Sequence, residues 1–434
     1  MTFTKELSPG VRPRDGMTRR VLVAGTIGST IEWYDFYLYS TASALLLGPL
    51  FFPQQSATAA TLAGFATYAA GFVARPLGGV VIGHFGDRIG RKSMLVLTLM
   101  IMGVATLLVG VLPTYAQAGA WAPALLVTLR VLQGIGIGGE WGGGVLMTTE
   151  YAPAHRRGLF SSGAAAGFPL GLAGSTAMVA LITRLPRDDL LSWGWRVPFL
   201  ASGLLVVVGV FVRRGVAESP EFLRGRRDGP SPRVPVAEVL RQRPGPVAKG
   251  ALASLGLAMI VSVFSVYLPA YAAGHGADRD RVLTGMVVGA LVEAALLPLF
   301  GALSDRFGRR GVIVFGYAVC ALVALPAPLW LTSGSTTQTV LTFTLAMGVG
   351  HAAVYGGIAA LMVEQFPTRH RYSALAVTYQ LGATLASFGP LIAGALAGSG
   401  RTARPGISIL LGTLTVAALA VLATRRPGAR GGRE

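Results

Sequence analysis

Twelve predominantly apolar stretches, nearly all long enough to cross a bilayer, leave this chain few folds to choose from. A helix needs about 20 such residues to span the hydrocarbon core. Within lipid every backbone N–H and C=O must find an internal partner, which only helices and closed barrels provide. Runs of this length read as helices. With 52% hydrophobic and 13% charged residues, against about a quarter charged in a soluble domain, the fold class is an all-α membrane protein. The pattern predicts spans at 21–50, 59–83, 93–112, 122–149, 158–184, 194–214, 248–272, 282–303, 311–331, 338–363, 372–397 and 406–424. Residues 1–20 read as an N-terminal tail, 215–247, rich in Arg and Pro, as a linker, and 425–434 as a C-terminal tail.

The charged connections carry a repeat. Gly83-His84-Phe85-Gly86-Asp87-Arg88-Ile89-Gly90-Arg91-Lys92 returns as Gly301-Ala302-Leu303-Ser304-Asp305-Arg306-Phe307-Gly308-Arg309-Arg310, with its aspartates 218 positions apart in a chain of 434. A second pair, Glu150-x-x-Pro153-x-x-x-Arg157 and Glu364-x-x-Pro367-x-x-x-Arg371, recurs after 214 positions. A repeat at half the chain length makes the molecule two pseudo-symmetric six-helix bundles, 21–214 and 248–424. The glycines allow the tight backbone turn that such a loop needs. Asp87 and Asp305 can pair with neighbouring arginines or sit at a helix N-terminus; simple topology anchors are the plainer alternative.

A net charge of +18 could suggest nucleic acid, but its distribution argues otherwise. Assigned to the two sides of the twelve spans, 28 Lys and Arg fall on the side of the termini and seven on the other. The positive-inside bias therefore puts both termini in the cytoplasm. Arg19-Arg20 runs straight into an apolar stretch too long for a signal peptide, so this stretch stays as the first helix. Cys320 alone excludes a disulfide framework and a cysteine-rich metal site. There is no nucleophile–base constellation, metal spacing or Walker loop, so no enzyme, cofactor or ATP-driven machine is expected.

Ionisable residues inside spans are costly, at about 2.5–3.5 kcal/mol each on insertion scales, and mark functional positions. Glu32 and Asp35 stand at i and i+3, so they share a helix face with Gly28 and Tyr39. They should meet a cavity or a partner; Asp35 is the candidate proton carrier and Glu32 its modulator, with a structural ion pair as the alternative. Arg75 and Arg130 are the basic residues within spans. A guanidinium grips a carboxylate with two prongs, so either can bind an anionic substrate or neutralise the helix-one acids, while Arg75 can also snorkel toward the nearby loop. Gly134-Ile135-Gly136-Ile137-Gly138-Gly139 lies inside a span, where close helix packing explains it better than a nucleotide loop. Glu140 follows it. In the second half Glu293 and His351 are the deep ionisable groups, either functional or packed. Tyr34, Tyr37, Tyr39, Tyr267, Tyr271, Tyr355 and Gln380 can line a cavity, although tyrosine is also a common interfacial anchor.

The decapeptide resembles the loop signature of the major facilitator superfamily. Further segments resemble its metabolite:proton symporter branch: Thr30-Ile31-Glu32-Trp33-Tyr34-Asp35-Phe36, Ala74-Arg75-Pro76-Leu77-Gly78-Gly79, Arg130 through Gly134 with Gly138 through Gly143, and Glu364 through Ser373. The resemblance covers about Val21 to Ala397 and implies a bacterial inner-membrane transporter, working as a monomer by alternating access. A site near the midplane between parallel halves follows from it. It implies that the loops latch one side, which assigns gating to Asp87, Arg88, Arg91, Asp305, Arg309, Glu150, Arg157, Glu364 and Arg371. Arg130 joins Asp35 and Glu32 in proton coupling. Arg75, Tyr39, Glu140, Gln133, Tyr355 and Gln380 are the candidates for holding a small organic anion or zwitterion imported with protons. The alternative is a proton-driven exporter of drug-like compounds, whose helix-five Gly-Pro motif Gly163 through Gly171 matches only in part, Gly167-Phe168-Pro169 lacking the direct step. A sensor or a channel fits less well. Ser387-Phe388-Gly389-Pro390 departs from the branch's Gly-Gly pair and alters the pocket, and the short tail after Arg425-Arg426 makes osmosensing an unlikely expectation.

Overall fold

The computed structural model describes residues 15–42, 47–53, 67, 70–215, 217–218, 223, 235–367, 371–397 and 402–424. Most of the N-terminal tail, the start of the second span, most of the linker and the C-terminal tail lie outside the described residues. Among those described, the regular structure is helical. The first six long helices are α1 (Asp15–Ala42), α2 (Arg75–Arg88), α3 (Arg91–Val111), α4 (Trp121–Tyr151), α5 (Arg157–Ile182) and α6 (Val197–Arg214). The second six are α7 (Pro244–Gly274), α8 (Arg279–Phe307), α9 (Arg309–Ala324), α10 (Thr336–Val363), α11 (Arg371–Leu396) and α12 (Arg404–Leu422). Among the described residues, nine stretches are long and apolar enough to cross a membrane by themselves. The helices short of that criterion are α1, whose hydropathy Glu32 and Asp35 lower, α2, described only from its second part, and the 16-residue α9.

Burial ranks the helices. The apolar window of α10 is 94% buried and those of α6 and the last helix only 33%, which puts α10 at the centre and α6 and α12 at the rim. Leu204, Phe211, Leu329 and Leu419 point outward from the periphery, as lipid-facing side chains must. Within the first half α1 packs along α5 and α6, and α4 along α2 and α3; within the second, α7 packs on α11 and α12 and α9 on α10. The halves meet where α2 lies against α11 and where α5 lies against α8.

Proline shapes the helices nearest that seam. Pro76 has no N–H to bond the Phe72 carbonyl, and the helix is interrupted at Ala74 just before it. Thr384 of α11 takes over, its Oγ1 donating to the Phe72 oxygen at 3.0 Å, so a break in one half is satisfied by the other. Helix α5 is broken at Ala166 ahead of Pro169, and α11 at Phe388 ahead of Pro390. Wider π turns interrupt α7 at Val263–Tyr267 and α10 at Thr344–His351. The two repeated loops turn at Gly90, with φ 134°, and Gly308, with φ 95°, values that strain any residue bearing a Cβ.

Candidate functional site

Two connected spaces of about 420 and 390 Å³ lie between the halves, and both are lined by Trp33, Arg75, Tyr355 and Tyr379. Glycine puts Arg75 there. A Cβ on Gly134 would run into the Gly71 carbonyl, and one on Gly138 into that of Arg75. The glycines of α4 thus let α2 lie backbone against backbone, the packing reading of that run. The Arg75 side chain is 1% exposed, its guanidinium 3.7 Å from the Phe72 ring centre and 4.2 Å from that of Phe36. Ring faces stabilise a desolvated cation by about 2 kcal/mol or more. Snorkelling is therefore ruled out for this arginine; it belongs to the cavity.

Opposite it the second half contributes Tyr355, Tyr379 and Gln380. Trp141 of α4 stacks on Tyr379 with ring centres 4.0 Å apart and donates its Nε1–H to the Tyr355 hydroxyl at 3.1 Å. Gln380 donates to the Gly138 carbonyl at 3.0 Å. Glu140 lines the larger space and accepts from the Thr98 hydroxyl of α3 at 3.0 Å, a partner that no spacing in the chain announces. Four of the six residues assigned to substrate contact, Arg75, Glu140, Tyr355 and Gln380, therefore share one wall system.

The other two do not line it. Tyr39 lies under the Arg130 guanidinium, 3.8 Å from ring centre to Cζ, and Gln133 accepts from Arg130 Nη1 at 2.9 Å. Helix α1 presents Ser29, Trp33 and Tyr37 to the cavity and turns Glu32 and Asp35, both fully buried, away from its lining. Asp35 instead lies near the hydroxyls of Thr106 on α3 and Ser202 on α6. These donate to the Met102 and Phe199 carbonyls, and neither carboxyl oxygen of Asp35 makes a hydrogen bond among the described residues. Gln133 Nε2 donates to Thr106 Oγ1 at 2.7 Å, so hydrogen bonds run from Thr106, beside Asp35, through Gln133 to Arg130. Of the two expectations for the helix-one acids, a cavity or a partner, the first is not met at these two spaces, which neither acid lines. Thr106 and Ser202 went unnoticed because single hydroxyls inside apolar helices are common and carry no spacing.

At the face bearing the basic loops, the halves are locked to each other twice. Asp87 Oδ2 accepts from the Ser373 backbone N–H at 3.1 Å and from its hydroxyl at 2.7 Å, at the start of α11. Asp305 accepts from the backbone N–H groups of Gly158 and Leu159 at 2.9 and 3.0 Å, at the start of α5. Both aspartates cap a helix of the opposite half, where the N-terminal dipole favours negative charge. Arg91 pairs with Glu150, and Arg309 bonds Glu364 at 2.7 Å and Asp305 at 2.9 Å. Arg371 Nη1 comes within 3.6 Å of Glu150 across the seam. Arg88 is exposed and Arg157 half-buried. Asp87 lies in the last turn of α2, beyond the membrane span expected at 59–83; burial, partly offset by the Ser373 hydrogen bonds and by Arg91, pushes its carboxyl up to about 6. One device escaped the sequence: Glu218, in the linker, accepts from the Lys92 backbone N–H at 3.2 Å and so caps α3.

In the second half Glu293 of α8 and His351 of α10 meet, with 2.6 Å between Oε1 and Nδ1. Both are buried, and His351 lines the smaller space.

The sequence matches the Major Facilitator Superfamily over residues 26–294 and 286–434. It is 40% identical over 400 residues to the shikimate transporter of Escherichia coli K12, covering 89% of this chain and 90% of that protein. The inner membrane metabolite transport protein YhjE of the same organism is 39% identical, covering 86% of this chain and 87% of its own length. The proline/betaine transporter of Salmonella typhimurium is 32% identical, covering 87% and 78%. Among solved structures, the proton:xylose symporter XylE bound to 6-bromo-6-deoxy-D-glucose superposes with a TM-score of 0.78 at 18% identity, over 94% of this chain and 95% of that one. The chain belongs to the Major Facilitator Superfamily and is a multi-pass membrane transporter, not an enzyme.

Proposed function

We propose that this protein imports a small organic acid or zwitterion by proton symport across a bacterial inner membrane, with the basic face and both termini in the cytoplasm. The observation that carries the reading is Arg75: a guanidinium sunk in the space between the halves, beside groups that can hydrogen-bond a bound solute. A permanently charged, planar donor there fits a carboxylate. Two of the relatives, by name a shikimate transporter and a proline/betaine transporter, handle carboxylate-bearing compounds, which supports that class.

Asp35 carries the proton, with Glu32 as its modulator, and Thr106, beside it, begins a hydrogen-bonded chain through Gln133 to Arg130 by which its charge state acts on the helices lining the cavity. With the Asp87 and Asp305 locks made, the cytoplasmic side is closed; substrate and proton enter from outside, and the locks then break to release both inward. A single channel through the molecule would need no such pair of locks.

Uptake into proteoliposomes under an inward proton gradient tests this. Labelled shikimate, dicarboxylates, proline and betaine form the panel. Gradient-dependent uptake of at least one compound is expected, with about a hundredfold loss in Arg75→Ala. No uptake of any, with dyes expelled under the reverse gradient, would replace import by export.

A further inference from the structure

Opposite Arg75, the wall of the smaller space carries His351, a group with no place in the proton path drawn through Asp35. It ends the π turn that interrupts α10, a feature frequent at functional sites. Its ring is held between Phe168 of α5, at 5.1 Å, and Tyr355, at 5.5 Å. Glu293 fixes the rest. With Glu293 ionised it can only accept, and with a neutral imidazole the 2.6 Å contact then has the ring proton on Nδ1 and Nε2 as a lone-pair acceptor for whatever occupies the cavity. Glu293 Oε2 is buried and accepts no hydrogen bond among the described residues, so the carboxylate is committed to this ring. The other titratable groups around the pair are Cys320 from α9, Tyr355 from α10 itself, Tyr379 from α11 and Arg75 from α2.

An anion gripped by Arg75 therefore faces an acceptor on the other half of the molecule. A second carboxylate would meet that lone pair unfavourably; a hydroxyl would donate to it. We propose that His351, held in its Nδ1–H form by Glu293, accepts a hydrogen bond from a substrate hydroxyl, so that the site selects hydroxylated carboxylic acids. Glu293 is a positioning residue and His351 the specificity-determining contact. The inference rests on the organic-acid reading above and narrows it. A site built to bond a hydroxyl discriminates strongly against a substrate lacking one.

The test compares shikimate, a trihydroxylated ring carboxylate, with cyclohexanecarboxylate, which has the acid and no hydroxyl. Proline and betaine serve as hydroxyl-free zwitterions. Binding to purified protein is read by quenching of Trp33 and Trp141, which line the larger space. Wild type is expected to bind shikimate at least tenfold more tightly than the other three. His351→Phe should erase that preference while cyclohexanecarboxylate still binds, which also shows that the variant is folded. Glu293→Gln, whose amide can donate to Nδ1 and drive the proton to Nε2, should erase it too. Nitrogen-15 spectra of the ligand-free protein give a reading independent of any substrate: Nδ1–H for His351 in wild type and Nε2–H in Glu293→Gln. An Nε2–H ring in wild type, or an undiminished preference in His351→Phe, would overturn the proposal. Equal binding of both acids would overturn hydroxyl selection alone, whereas binding of neither would overturn the organic-acid reading and this inference together.

Discussion

At its basic face the molecule repeats itself, and at mid-depth it does not. Asp87 caps α11 and Asp305 caps α5, each reaching into the opposite half; Arg91 pairs with Glu150 as Arg309 does with Glu364. Halfway across, the first half buries Glu32, Asp35, Arg75, Arg130 and Glu140, and the second only Glu293 and His351 among the described residues of charged or imidazole type. Locks that open and close together work best as equivalents, so a duplicated loop suits both positions. A solute and a proton need different partners, and there the two copies have diverged. Burying five charged-type residues in one half is costly unless they are held by hydrogen bonds or ring faces; Thr98 provides this for Glu140, Gln133 and the Tyr39 ring for Arg130, and the Phe36 and Phe72 rings for Arg75.

The largest effect that would sharpen this contrast is at Arg75. Arg75→Lys keeps the charge but loses the planar fork and the stacking on Phe72, so uptake of a carboxylate should fall at least tenfold, and Arg75→Ala about a hundredfold. Unchanged uptake in both would break the assignment of the first half to binding. Next come the locks. A hydrogen bond contributes about 0.5–1.5 kcal/mol, so Asp87→Ala, which loses two of them to Ser373, should shift the balance toward the open form roughly 5- to 100-fold, and Asp305→Ala should do the same if the two are equivalent. Accessibility of cysteines introduced at the basic face would show it, against a background of one buried thiol, Cys320. A tenfold difference between the two variants would break the symmetry. Trp141→Phe keeps the stack on Tyr379 and loses one hydrogen bond to Tyr355; a loss of about 1 kcal/mol should raise KM roughly fivefold with kcat little changed.

The smallest effect is one of pH. Burial pushes the latched Asp87 up to about 6, above its ordinary 3.8, so the closed form takes up a proton that an opened, solvated Asp87 would not. By linkage, closure should strengthen as pH falls from about 6 toward 4, and this added preference should vanish above about 6. Asp87→Asn should abolish the dependence; its persistence would move the titration elsewhere.

Much of this was legible in the sequence. Run length gave the helices, the half-period repeat gave the two halves and their locks, and Arg75 and Glu140 stood out because charge in a span is expensive. Which way a helix turns was not legible. The i, i+3 spacing puts Glu32 and Asp35 on one face, but only the packing of α1 against α5 and α6 decides that this face looks into the bundle while Trp33 looks into the cavity. That rotation took Tyr39 out of the lining, and Gln133, on α4, is turned toward Arg130 instead. The Glu293–His351 pair was equally hidden, since 58 positions separate residues whose contact depends on how α8 crosses α10.

The measurement that bears most directly on the asymmetry of the interior separates accumulation from exchange in Asp35→Asn. Labelled shikimate is followed into proteoliposomes, once against an inward proton gradient and once by counterflow at equal pH. If the first half couples the proton, the variant should lose gradient-driven accumulation at least tenfold and keep exchange within about threefold of wild type. Accumulation at the wild-type level, still dependent on the gradient, would contradict the assignment of the proton to Asp35.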